Sequence, residues 1–64
     1  MIILTKQAQN RSILKGMDLN EINYIIERGV KTRKNNSIIS TLNDKMVVYT
    51  QNGLITIVKT VATK

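Results

Sequence analysis

Apolar residues recur along the chain at two different spacings. Between Asp18 and Gly29, Leu19, Ile22, Ile25 and Ile26 fall on one side of a helix. Asp18 suits the N-cap, and Glu21 three positions later completes a capping box. Met17 before the cap and Ile22 form the pair of a hydrophobic staple. Arg28 suits the negative end of the helix dipole, and Gly29 stops the helix. Upstream, Ile2 to Leu4 is a short strand or an apolar lead-in. Thr5 is an N-cap for a polar helix over Lys6 to Lys15, whose narrow apolar side is Leu4, Ala8 and Ile13 or Leu14. Gly16 ends that helix in a left-handed conformation.

After Gly29 the spacing shortens to two. Val30 to Arg33 is extended, Lys34-Asn35-Asn36 is a turn, Ser37 to Leu42 leans to strand, and Asn43-Asp44 is a second turn. Lys45 to Gln51 and Leu54 to Val61 are strands joined at Asn52-Gly53, a strong hairpin signal. Residues 62–64 are expected to fray. A two-residue loop at Asn52-Gly53 pairs Gln51 with Leu54, Thr50 with Ile55, Tyr49 with Thr56 and Val48 with Ile57. One face then carries Met46, Val48, Ile55 and Ile57, and the other Val47, Tyr49, Leu54, Thr56 and Val58. The first is more purely aliphatic and is assigned to the helices. Both faces are fairly apolar, which fits an unusually covered sheet or one that buries its second face against a partner. The expected fold is α+β: one domain over residues 1–64, with two N-terminal helices on a three- to four-stranded antiparallel sheet.

Composition narrows the chemistry. Sixty-four residues bury only about 60% of the unfolded surface, so a tight two-layer core or a homodimer partner is needed. The chain has no Cys and no His, and its four carboxylates, Asp18, Glu21, Glu27 and Asp44, do not cluster. No metal site or other cofactor is expected from this donor set. The net charge is +6, which favours a nucleic acid or an acidic protein as partner. No apolar run approaches the roughly 20 residues of a membrane span. Met1 to Leu4 is too short for a signal peptide, and Lys6 follows it rather than leading it. A cytoplasmic protein that contacts no membrane is the expectation.

Three stretches, "LTKQAQNR" (Leu4 to Arg11), "LKGMDLNEINYIIERG" (Leu14 to Gly29) and "KMVVYTQNGLITIVKT" (Lys45 to Thr60), carry a resemblance. The chain is similar to the RelE-like ribonuclease-toxin superfamily, and within it to small bacterial and phage domains. Those domains open on an apolar-Thr-Lys-His-Ala pattern with an Arg four residues after the His. They continue through an "RGI" turn into a second helix and close on a strand carrying a Thr. Arg11 and Thr56 match that pattern. Gln7 stands where the pattern has His, and Lys15 where it has an Arg before Gly. The resemblance implies an RNA-directed fold whose usual catalytic position is lost, since Gln can neither give nor take a proton in catalysis. Hydrolysis would then rest on Arg11, Lys15 and Tyr49, with Lys6 assisting. Arg11 would clamp phosphate and Tyr49 would act as acid or stacking platform.

Lys31, Arg33 and Lys34 form the densest basic stretch, and Lys31 and Arg33 share a face when extended. Together with Lys6, Gln7 and Thr56 they are the expected nucleic-acid contacts. Plainer readings compete throughout. Arg11 is also a solvated helix cation, Tyr49 a packed sheet residue, and the basic stretch a charged edge that discourages aggregation. A different class is an interaction protein without turnover, such as a phage-encoded inhibitor that occludes a host nucleic-acid-processing or defence complex. A DNA-reading helix-turn-helix is disfavoured, because the helix from Asp18 to Arg28 is largely a core stripe.

Overall fold

The computed structural model describes residues 1–63. The elements run β1 (Ile2–Leu4), α1 (Lys6–Lys15), α2 (Leu19–Arg28), β2 (Val30–Lys34), β3 (Ser37–Leu42), β4 (Lys45–Asn52) and β5 (Ile55–Thr63). They build a two-layer α+β fold in which both helices lie on one face of a single sheet ordered β1-β5-β4-β3-β2. The sheet has five strands rather than three to four, and it is mixed rather than antiparallel. The two edge strands make the difference. β1 pairs parallel with β5, setting Leu4 opposite Val58, and β2 pairs antiparallel with β3 along its whole length. Neither edge is strongly patterned: β1 is three residues long, and every residue of β2 is exposed.

The helix ends follow their sequence signals. The Thr5 hydroxyl accepts from the Ala8 amide, and Gly16 adopts φ +66° with its N–H on the Ile13 carbonyl. Asp18 accepts from the Glu21 amide, while the Glu21 carboxylate pairs with Lys45 on β4 instead of completing the capping box. That pair ties the start of α2 to the sheet. Gly29 is not left-handed: its φ is −73°. It is required because a β-carbon there would strike the Ser40 hydroxyl and the carbonyls of Ile25 and Thr41.

Three two-residue loops join the strands, and the first loop residue takes positive φ in each: Asn35 at 55°, Asn43 at 59° and Gly53 at 64°. The last loop is therefore Gly53-Leu54 rather than Asn52-Gly53. Asn52 sits opposite Ile55, and Tyr49 opposite Val58 rather than Thr56. Moving the loop by one residue moves each cross-strand partner by two, so each face keeps its members except Leu54, which passes from strand to loop.

The assignment of faces is reversed. Val47, Tyr49, Val58 and Val61 pack with Ala8, Met17, Ile22 and Ile25 in the buried core. Met46, Val48 and Ile57 lie on the uncovered face and are only partly buried. The register of the whole sheet gives the covered face its buried rows: Ser40, Val47 and Val61 align across β3 to β5, with Ile38, Tyr49 and Val58 beside them, while Lys31, Arg33, Lys45 and Gln51 stand at its margins. The uncovered face carries Thr32, Lys34, Thr41, Thr50, Lys59 and Thr60, so polarity alone does not separate the two. A bulge opposite Val48 and Tyr49 inserts Lys59 as an extra residue and turns Val58 and Val61 to the same side. The Thr5 hydroxyl donates to the Lys59 carbonyl at the bulge (3.0 Å), so the start of α1 anchors this irregularity. The strand also continues past Val61: Ala62 pairs with Met46 and Thr63 with Lys45, while Lys64 lies outside the described residues.

Candidate functional site

Strand register places Arg33, Ile38, Tyr49 and Val58 in one row across β2 to β5, on the helix-bearing face. One step along, Gln51 lies opposite Thr56 on that same face. Beside this row, at the β2–β3 hairpin, Arg33, Asn35, Asn36, Ser37, Ile38 and Gln51 line an open, polar depression of about 240 Å³. The hairpin loop shapes it, because Asn35 accepts the left-handed conformation that turns the chain there.

Tyr49 is 3% exposed and packs its ring in the core. No described residue hydrogen-bonds its hydroxyl, yet the hydroxyl is not sealed away from solvent. Burial pushes the phenol above its ordinary value of 10.0, and the nearby positive charge of Arg33 partly opposes this. Tyr49 therefore keeps its proton at neutral pH and is a hydrogen-bond donor. Because the folded-state value is raised, the associated stability is complete below the unfolded value and is lost as pH rises through the folded one. The pairing of Lys45 with Glu21 raises Lys45 likewise, so both groups weaken the fold in alkali. In a Tyr24→Phe background, the phenolate absorbance of Tyr49 should titrate with a midpoint above 10.0. A midpoint at or below that value would mean that the ring is not buried as described.

The other expected site residues are dispersed. Gln7, Arg11 and Lys15 follow one another at one-turn intervals along exposed positions of α1, with Lys6 at its start. None makes a side-chain contact with the Arg33–Tyr49 row that a hydrogen bond or ion pair marks. Lys31 lies on the same face as Arg33, but its ammonium donates to the carbonyls of Glu27 and Gly29 (both 3.1 Å) and caps the end of α2. Lys34 falls on the opposite face from Lys31 and Arg33. Thr56 is buried, with Gln51 as its cross-strand partner.

Gln51, Asn35, Asn36 and Ser37 were not among the expected contacts. Their sequence signal reads as turn and strand end, and only the β3–β4 register brings Gln51 beside the loop. Among the described residues no group of three or more His, Cys, Asp or Glu could hold a metal ion, and no helix is long and apolar enough to cross a membrane. Comparison of the chain with protein-family models, with curated proteins and with solved structures finds no match.

Proposed function

We propose that this protein binds single-stranded RNA, with Arg33, Asn35 and Gln51 as the central contacts. The observation that carries this reading is the placing of the Arg33 guanidinium in a polar depression lined by the amides of Asn35, Asn36 and Gln51. The Arg33 fork suits a phosphate, and the amides of Asn35, Asn36 and Gln51 can hydrogen-bond the edges of a splayed base. The net charge of +6 supplies the long-range attraction. The resemblance of the sequence to RelE-like toxins points to the same class of partner.

The reading is binding rather than cleavage. Strand scission would need a group that takes a proton from the 2′-hydroxyl near neutral pH. The depression offers amides, a serine hydroxyl and a guanidinium, and Tyr49 holds its proton; none serves as that base. Toxin-like ancestry with catalysis lost is consistent with Gln7 in place of the family's His.

Fluorescence anisotropy with a short unstructured RNA tests this at several salt concentrations. Arg33→Ala should weaken binding and reduce the slope of log affinity against log salt by about 0.7, the value of one single-strand phosphate contact. Arg11→Ala, outside the depression, should change affinity less. Equal loss from both variants would reduce the site to general charge. Absence of salt-dependent binding by the parent protein would overturn the proposal, and gel analysis of the same mixtures should show the RNA intact.

A further inference from the structure

The uncovered face of the sheet is the largest feature that RNA binding leaves unused. Two complete rows cross it in register. One is Val30, Thr41, Met46 and Ala62; the next is Thr32, Ile39, Val48 and Thr60. Neither row carries a charge. Ile57 and Ile3, paired across β5 and β1, extend the apolar surface to the far edge. The charges of this face's strand residues are Lys34, near the β2–β3 hairpin, and Lys59. Lys59 reaches across β4 to donate to the Ser37 hydroxyl (2.9 Å), which draws its ammonium toward that same hairpin and away from the two uncharged rows.

We propose that this face is the interface of a symmetric homodimer, in which two copies pack sheet against sheet. Three observations select a second copy over another partner. First, the face carries no acid and keeps its two cations toward one end, so the two uncharged rows can meet their own counterparts without burying a charge. A two-fold axis through the uncharged rows lays apolar side chains and threonine methyls on their own counterparts. Second, the size is right. The five strands hold three, five, six, eight and nine residues, which at about 3.3 Å rise and about 4.8 Å spacing give a projected area of roughly 500 Å². Side-chain relief brings the accessible area near the ~800 Å² that each partner commits in a stable interface. Third, the core is small. Eight core residues are buried on the helix side, and a second buried layer supplies what so short a chain otherwise lacks. Arg33 and Gln51 sit on the helix-bearing face, so the dimer leaves that side of the depression accessible on both copies.

Sedimentation equilibrium over a range of protein concentrations tests the inference. The parent chain should pass from one-copy to two-copy mass as concentration rises. Raising salt should strengthen the association, because each copy carries +6 and screening removes repulsion rather than attraction. Val48→Lys should weaken dimerisation about 100-fold, the scale of an unpaired charge in an apolar contact. Ile57→Lys, near the edge, serves as a second variant if Val48→Lys fails to fold by circular dichroism. Leu14→Lys on the outer side of α1, where Leu14 is 82% exposed, should leave association unchanged. A one-copy mass at every concentration overturns the proposal. So does dimerisation that survives both sheet-face variants, or that is lost in Leu14→Lys.

Discussion

Gly29→Ala should destabilise the protein by about 3 kcal/mol, the upper part of the range for forcing an added methyl into a packed site. The position is not strained, since φ of −73° suits any residue, so the whole cost is steric. The added carbon meets the Ser40 hydroxyl and two backbone carbonyls, those of Ile25 and Thr41. Two of these groups are already joined, because the Ser40 hydroxyl donates to the Ile25 carbonyl, which also accepts from the Gly29 amide. Relief would have to separate α2 from β3 at the point where the chain leaves the helix and enters β2. A chain of this size has a total stability of only about 3–10 kcal/mol, so the variant should lose roughly a third or more of it, read as a large fall in the midpoint of thermal or urea denaturation. Ser40→Ala combined with Gly29→Ala should recover part of the loss, because one of the three obstacles goes and the two carbonyls stay. Gly53→Ala is the contrasting case. Nothing lies within 4 Å of its missing side chain, but φ is +64°, so it should cost about 1–2 kcal/mol through backbone conformation alone. If Gly29→Ala proved as mild as that, the close approach of α2 and β3 would be wrong.

The contrast between these glycines bears on what a sequence can reveal. Gly16 and Gly53 are local: each marks a turn, and the turn explains it. Gly29 reads as a helix stop, and the helix does stop there, but the reason is Ser40 on another element. The second helix was legible because its caps and its apolar stripe are all local signals. The hairpin existed where Asn52-Gly53 placed it, yet the loop centred one residue later. Two-residue loops here need positive φ at their first position, and Gly53 meets that need more cheaply than Asn52. The sheet face was misassigned for a non-local reason. Judged from Met46, Val48, Ile55 and Ile57 alone, the uncovered face is the more aliphatic one. Thr32, Lys34 and Thr41 from other strands and Lys59 at a bulge also lie on it, while the covered face gains Ile38, Leu42 and Val61, and the hairpin alone reveals none of these. The candidate site divides in the same way. Arg33 and Tyr49 were each singled out as sequence features, but their adjacency depends on the register of three strands. Gln51 and the hairpin asparagines gain their place only from that register.

Ile22→Ala should cost about 2–5 kcal/mol, and Leu14→Ala less than about 0.5 kcal/mol, although the two are aliphatic side chains of similar size on neighbouring helices. Ile22 is fully buried among the core residues shared by α2 and the sheet. Removing most of its side chain loses the transfer energy and leaves a cavity that the rigid sheet cannot close. Leu14 is 82% exposed and Ile13 78% exposed, so neither is the core contact that the apolar spacing of α1 suggested. The inward positions of that helix are Ala8 and Ser12, two small residues. The Ser12 hydroxyl donates to the Gln9 carbonyl and so needs no partner from the sheet. Small side chains let α1 approach β5 closely, an economical solution for a thin domain, and they leave the larger aliphatics of α1 pointing outward. Chemical denaturation of both variants measures the difference directly. Comparable losses at the two positions would show that α1 buries Leu14 after all, and would require the helix to be rotated about its axis. A loss confined to Ile22 fixes that rotation, and with it the outward placement of Gln7, Arg11 and Lys15, which keeps those side chains in solvent.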